Sequence, residues 1–242
     1  MMLKKFILFG LLSTVLFSCN SENTENASKE KSLIEYPDEI KSFVALFSNL
    51  DADFKLNNEF IADSTRNTSK NKLTLEQVKL LSQNLSKDEM TDINEYYLKD
   101  YFKIEASKLN KTYEKYLEKL DIGMMKDANC FAIGKIEMGD SVSILIWKME
   151  FTSYEACPVY YGTNFLATVI SGKAVVQTLQ IACNETAADA PFASEINQEF
   201  SISKKGIVKI KSETSVFEEE VQTEHTKSDE TFVFTKKGFV KK

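Results

Sequence analysis

Alternating apolar and polar positions dominate the second half of the chain. Runs rich in Val, Ile and Phe are separated by short turns that contain glycine, a pattern typical of antiparallel strands joined by hairpins. The predicted strands are Phe131–Glu137, Val142–Phe151, Asn164–Ile170, Ala174–Cys183, Gln198–Ser203, Ile207–Ser212, Glu230–Thr235 and the last residues of the chain. We therefore expect an up-and-down meander of roughly eight strands.

Four glycines at nearly equal spacing mark the predicted turns: Gly139, Gly172, Gly206 and Gly238. The residues around Gly206 read Ile-Ser-Lys-Lys-Gly-Ile-Val-Lys, and those around Gly238 read Phe-Thr-Lys-Lys-Gly-Phe-Val-Lys. This similarity indicates a hairpin repeat of about 33 residues. Chance spacing of turn glycines in an ordinary meander is the alternative, and it predicts the same architecture.

The first half of the chain shows a helical period instead. Apolar residues recur at helical spacing in 75–85 and 88–120, a shorter apolar face occurs in 37–50, and Thr74 is suited to cap the first of the two long helices. The strand Val142–Phe151 is apolar on both of its faces, so it should be central and covered on both sides. The sequence thus predicts an α+β fold with N-terminal helices packed against the antiparallel β-meander.

The N-terminus begins with two lysines, Lys4 and Lys5, which are followed by an apolar run from Phe6 to Phe17. This pattern is typical of a secretory signal and is too short to span a membrane. The next feature, Leu16-Phe17-Ser18-Cys19, resembles the lipobox of bacterial lipoproteins. The resemblance implies a signal peptide of residues 1–18 and acylation of the Cys19 thiol. An ordinary signal peptide cleaved nearby, with Cys19 incidental, is the alternative.

Lipid chains on Cys19 would hold the protein at a membrane. Residues 19–32 contain no aromatic residue and are predicted to form a flexible tether. An Asp directly after the lipidated cysteine would resemble a signal that retains a lipoprotein in the inner membrane. This chain has Asn20 at that position, so the outer membrane is favoured. The protein could lie on either the surface or the periplasmic face of that membrane. The rest of the chain is expected to be one domain, residues 33–242, with a mainly helical part (33–122) and a β-meander (123–242).

Composition narrows the function further. The chain carries 36 acidic and 30 basic residues, a formal net charge of −6, and the basic residues form no stripe. We therefore expect no binding of nucleic acid. His225 is the only histidine and lies far in sequence from the cysteines, which gives no metal-ligand spacing. No metal and no cofactor are predicted.

Three cysteines remain after lipidation: Cys130, Cys157 and Cys183. Disulfides can form in the cell envelope, and all three cysteines are expected near the same end of the sheet. Counting across the turn at Gly172 places Cys183 roughly opposite Tyr160, which favours a Cys157–Cys183 disulfide. Three buried, reduced cysteines are the alternative.

Catalytic motifs are scarce. Gly139-Asp140-Ser141 resembles the Gly-Asp-Ser block of lipolytic hydrolases, but no Asp-x-x-His follows and the segment lies where a hairpin turn is predicted. We therefore predict no catalytic residue.

An aromatic cluster is the remaining candidate for function. Tyr154, Tyr160 and Tyr161 surround the loop between the second and third strands, where their rings could stack on a sugar or a peptide. Tyr160 could instead belong to the core.

The sequence thus resembles the uncharacterised β-rich envelope lipoproteins of Gram-negative bacteria, and the resemblance is specific only over residues 1–19. We expect a binding or structural module of the envelope, with a glycan, a peptide or an envelope protein as its partner. The alternative is a hydrolase that uses carboxylates alone, such as a glycosidase, because acidic residues are plentiful.

Overall fold

The computed structural model describes residues 35–62, 69–85, 98–105, 125–139, 141–153 and 159–242. Cys19, Tyr154 and Cys157 lie outside these ranges, as do the predicted signal peptide and tether. The described chain is mostly β-sheet, and residues Ser32–Lys242 form one compact unit.

Short elements make up the N-terminal part of the described chain. They are α1 (Asp38–Lys41), a 3-10 turn (Val44–Leu46), β1 (Ser48–Asn49), β2 (Phe54–Leu56), α2 (Asn58–Ala62), α3 (Leu75–Leu81) and the helical residues 98–105. Thr74 caps α3 as predicted. Its hydroxyl accepts a hydrogen bond from the backbone N–H of Gln77, and the Gln77 side chain accepts one from the backbone N–H of Thr74. This capping box satisfies donors that the first helical turn leaves free.

The α+β prediction is confirmed only in part, because the described helices are short and strands dominate. The helix predicted over 75–85 ends at Leu81. The next residues are drawn to the sheet instead: the Asn84 side chain donates to the carbonyl of Val175, and Leu85 forms a bridge with Thr178. Of the helix predicted over 88–120, only residues 98–105 are described.

Eight consecutive strands follow, and each pairs antiparallel with the next. They are β3 (Met125–Gly139), β4 (Val142–Ser153), β5 (Val159–Ser171), β6 (Ala174–Asp189), β7 (Phe192–Ile202), β8 (Ile207–Glu218), β9 (Val221–Thr235) and β10 (Gly238–Lys241). The predicted antiparallel meander is confirmed. All four predicted turn glycines have a positive φ, the conformation that glycine adopts without a steric penalty.

Most strands extend beyond their predicted ends, on the side away from the turn glycines. β6 continues past Cys183 to Asp189, β8 continues past Ser212 to Glu218, and β9 begins at Val221 rather than at Glu230. The added segments are largely polar on both faces, so no apolar alternation marks them as strands. They belong to long hairpins that continue beyond the strand ends that the sequence predicted.

The sheet divides into two layers near the turn glycines. β6 pairs with β7 only from Cys183 to Asp189. Where β6 departs, β2 takes its place and pairs with residues 200–202 of β7. One layer therefore contains β1 and β3–β6, and the other contains β2 and β7–β10.

β4 is buried on both faces, as predicted. Leu145, Trp147 and Met149 point into a first core, shared with residues of the N-terminal segments such as Val78 and Leu81. Trp147 Nε1 donates to the hydroxyl of Thr168 at 2.9 Å, and that hydroxyl donates to the carbonyl of Leu81 at 2.9 Å. This buried network joins the end of α3 to the sheet, and leaving one such group unpaired costs about 1–3 kcal/mol.

The opposite face of β4 points into a second core between the two layers. Ile144 and Ile146 pack there in one cluster with Phe200 and Phe239 from the other layer. The backbone N–H of Phe239 donates to the side-chain oxygen of Gln177 in β6 at 2.7 Å, so β10 lies against β6.

Gly238 permits this close approach. It has a φ of +108°, and a Cβ added there would overlap the Gln177 side chain. Gly172 also has a positive φ, +57°, but an added Cβ would meet nothing within 4 Å.

We expect Gly238→Ala to lower the free energy of unfolding by clearly more than Gly172→Ala. Gly172→Ala should cost only the strain of placing alanine in the left-handed conformation, about 1–2 kcal/mol. Gly238→Ala should add to this strain the overlap of the new Cβ with the Gln177 side chain. Chemical denaturation of both variants measures the difference. Equal losses would contradict the tight contact between β10 and β6.

Candidate functional site

Two rows of polar side chains cross seven strands on one face of the sheet, at the end away from the turn glycines. Residues directly opposite each other on antiparallel strands point to the same face, so each row can be followed from β3 to β9. The first row consists of Asn129, Glu150, Thr163, Asn184, Asn197, Glu213 and Lys227. The second row consists of Asp127, Thr152, Tyr161, Thr186, Glu195, Ser215 and His225. We call these fourteen residues the polar platform.

All fourteen platform side chains are reached by solvent. Antiparallel sheets often have one solvated face, so polarity alone does not make this surface a site. Its shape is more informative, because two grooves lie on it.

The first groove has a volume of about 380 Å³. Seven platform residues of β3–β6 line it: Asp127, Asn129, Glu150, Thr152, Tyr161, Thr163 and Asn184. The groove therefore offers carboxylate, amide and hydroxyl groups beside an aromatic ring.

The second groove has a volume of about 280 Å³ and lies over β7–β9. Its platform residues are Asn197, Glu213 and Lys227, and Asn58 at the start of α2 forms one wall. The two grooves adjoin at one hydrogen bond, in which Asn184 Nδ2 donates to Asn197 Oδ1 at 2.6 Å.

Lys148 forms the boundary between the second core and the platform. Only 3% of it is exposed, and its ammonium lies 5.9 Å from the ring centre of Phe131 and 6.0 Å from that of Phe165. The ammonium donates to Glu150 Oε1 at 2.7 Å. A buried cation needs such a partner, so Lys148 fixes the position of Glu150 in the first groove.

Ser215, His225 and Glu213 form a hydrogen-bonded chain on the platform. The Ser215 hydroxyl lies 3.1 Å from His225 Nδ1, and Glu213 Oε1 lies 3.0 Å from His225 Nε2. A nucleophile, a base and an acid occur in this order in hydrolytic triads.

Two observations weigh against catalysis by these three residues. Glu213 is shared with Lys227, whose ammonium lies 2.7 Å away and lowers the pKa of that carboxyl. The histidine side chain is also 33% exposed on an open sheet face, whereas stabilisation of an oxyanion requires donors in a water-excluded site. We interpret the three residues as cross-strand pairs of the platform.

Of the three tyrosines predicted to bind ligand, the two described ones lie on opposite faces of β5. Tyr161 lies in the first groove and is 48% exposed. Tyr160 points to the opposite face, where its ring centre lies 4.9 Å from that of Phe151 beside the first core. Neighbouring residues of a strand alternate between faces, so both cannot contact one ligand on the platform. Tyr154 lies outside the described residues.

Most of the platform was not predicted from the sequence. Its residues are far apart in the chain, and they lie in strand segments that are polar on both faces of the sheet. The signal that could have found them is the hairpin register. Gly172 anchors one hairpin, but Thr163 aligns with Asn184 only when the two bulges between these strands are included, and a count from the turn alone does not reveal them.

The observed pairing of β5 with β6 differs from the pairing that the disulfide prediction assumed. Cys183 pairs with Asn164 and not with Tyr160, because the turn places Ser171 opposite Ala174 and two bulges then shift the strands further. Val159, which pairs with Ala188, lies about 17 Å along β5 from Asn164. Two residues from Val159 to Cys157 span at most about 7 Å, and the Cα atoms of a disulfide lie within about 7 Å. The Cys157–Cys183 pairing stays a prediction, and it would require Val159 to leave this register.

The Gly-Asp-Ser segment is part of a turn between β3 and β4, as expected. Gly139 and Ser141 both have positive φ, +81° and +62°. Asp140 lies outside the described residues.

Searches for other kinds of site gave two results for the described ranges. They hold no group of three or more His, Cys, Asp or Glu residues that could bind a metal ion. They also hold no helix that is long and apolar enough to cross a membrane.

Comparisons with protein-family models, with curated proteins and with solved structures find no match. The geometry of the platform is therefore the basis for the function proposed below.

Cys130 and Cys183 are expected to resist alkylation in the folded protein. Both side chains are buried, and burial raises the pKa of each thiol well above its ordinary value; the thiol is a poor nucleophile compared with the thiolate. Iodoacetamide treatment followed by peptide mass spectrometry should leave both unmodified in the native protein and should modify Cys130 in denaturant. Modification of Cys130 under native conditions would contradict its burial.

A non-reducing peptide map of the same samples tests the disulfide. A Cys157–Cys183 crosslink would confirm the predicted pairing, and an alkylated, uncrosslinked Cys183 after denaturation would remove it.

Proposed function

We propose that the protein is a lipid-anchored binding protein of the cell envelope, and that its polar platform binds a hydroxyl-rich ligand. The observation that carries the proposal is the pair of complete polar rows across seven strands, with two adjoining grooves upon them. Interaction sites are commonly concave and carry a few well-placed polar groups.

The side chains of the first groove suit hydroxyl groups. Carboxylates such as Glu150 accept hydrogen bonds, and Asn side chains both donate and accept them. A sugar offers donors and acceptors on each ring, so it can satisfy both kinds of partner. The exposed ring of Tyr161 adds an apolar surface with a polar edge, which suits a sugar face.

The charge of the platform disfavours anionic ligands. It contains four carboxylates, from Asp127, Glu150, Glu195 and Glu213, and one lysine, Lys227. The chain has a single arginine, Arg66, so bidentate recognition of phosphate or carboxylate is nearly absent. A neutral hydroxylated ligand avoids the repulsion that an acidic polymer would meet here.

The envelope location is the other part of the proposal. The lipobox-like segment that ends at Cys19 supports lipid attachment, and residues 19–32 would tether the folded part to the outer membrane. A helical N-terminal half that covers the sheet on the face opposite the platform would complete the α+β arrangement. Apolar residues of the N-terminal segments in the first core support this.

Cys19→Ala should move the protein from the membrane fraction to the soluble fraction of the envelope, because the acylated thiol would be lost. Fractionation and mass determination of the mature N-terminus measure this. A Cys19→Ala variant that stays in the membrane fraction, or a native protein without acyl groups, would contradict the lipid anchor.

Tyr161→Ala should weaken binding of neutral oligosaccharides at least several-fold, because it removes the exposed ring of the first groove. Phe192→Ala is the matched control. Phe192 is also an exposed aromatic residue, at 54%, but it lies on the opposite face of the sheet. Calorimetric titration compares the variants, and equal losses for both substitutions would contradict a site on the platform.

A hydrolase that uses carboxylates is the second candidate. Asp127 and Glu150 line the same groove, which is the arrangement a glycosidase would need. Glu150 Oε1 already accepts a hydrogen bond from the Lys148 ammonium at 2.7 Å, so this oxygen is engaged within the protein and is poorly placed to protonate a leaving group. Cleavage of the bound oligosaccharides during the titrations, lost in Glu150→Gln, would favour the hydrolase over the binding protein.

A further inference from the structure

We propose that the ligand is a linear, neutral polysaccharide that lies across the strands along the first row of the platform. This inference rests on the proposed function and adds the class, the direction and the length of the ligand.

The length follows from the continuity of the row. Asn129 in β3 and Lys227 in β9 are separated by six strand spacings of about 4.8 Å, or about 29 Å. The two grooves together extend over this distance and adjoin at the Asn184–Asn197 hydrogen bond. A single sugar ring would fill a small part of this path, whereas a chain of several sugars would contact both grooves.

The twist of the sheet also favours a linear chain. Neighbouring strands rotate by roughly 20–25° relative to each other, so side chains along the row point in gradually changing directions. A rigid, planar ligand could follow only a short part of such a row. A polysaccharide can turn at each linkage and present its hydroxyl groups in successive orientations.

Both ends of the row are open in the described part of the chain. Beyond Lys227, β10 pairs only with residues 232–235 of β9. Beyond Asn129, β1 pairs with β3 only at residues 134–135, and Lys72 bridges β3 at Phe131. No further described strand pairs with β3 or β9 beside the ends of this row.

The row also has groups at both ends that can contact the ligand. Lys72 donates to Asn129 Oδ1 at 2.6 Å, which holds that amide in place. At the other end the Lys227 side chain is 67% exposed. Binding energy is therefore expected from both ends and from the middle.

Titration calorimetry with neutral oligosaccharides of increasing length tests the inference. The probes are gluco-, manno-, xylo- and galacto-configured series, each from the monosaccharide to the hexasaccharide, with an anionic uronic-acid series alongside. For the configuration that binds, affinity should rise by at least tenfold from disaccharide to hexasaccharide.

Variants at the two ends separate a long path from a single groove. Asn129→Ala and Lys227→Ala should each weaken the hexasaccharide several-fold, and at most one of them should weaken the disaccharide. Thr226→Ala is the control, because Thr226 is exposed on the other face of the same strand. Circular dichroism confirms that each variant is folded.

The outcomes distinguish this inference from the function on which it rests. Equal affinity for short and long sugars, with Tyr161 still required, would overturn the linear path and leave the binding function. Preference for the uronic-acid series would overturn the neutral ligand. Failure of every sugar to bind the folded protein would overturn the proposed function itself.

Discussion

The burial of both faces of β4 is the constraint on which the rest of the structure depends. Trp147 points to one side and Ile146 to the other, and neither is exposed. One face requires cover from the N-terminal segments, which the Trp147–Thr168–Leu81 network joins to the sheet. The other face requires a second layer, which exists because β6 and β7 separate and β2 takes the place of β6.

The platform begins where the burial of both faces of β4 ends. Lys148 follows Ile146 on the same face of β4, and its ammonium is directed to Glu150. From that position onward apolar burial continues only on the first-core face, through Met149 and Phe151, and the platform face carries polar cross-strand contacts instead. One sheet thus combines a two-core base with an open polar end.

Sequence predicted the part of the fold that burial controls. The apolar runs of the meander, its turn glycines and the two-sided burial of Val142–Phe151 all follow from residue type and spacing. It did not predict the extended ends of the strands, because polar residues on both faces give no alternation. The platform lies largely in these segments. Of the two predicted tyrosines that the structure describes, Tyr161 lies in a groove. Successive side chains of a strand point to opposite faces. Tyr160 therefore lies on the face opposite Tyr161, beside the first core.

Side-chain amide NMR of the isotope-labelled protein, titrated with the hexasaccharide that binds most tightly, tests the central claim that the platform is one binding surface. If the platform is one surface, the side-chain amide signals of Asn129, Asn184 and Asn197 shift together at the same ligand concentration. Signals of the buried amides Asn164 and Gln198 on the other face should stay unchanged. Shifts confined to the buried amides, or to only one of the three platform amides, would contradict the claim.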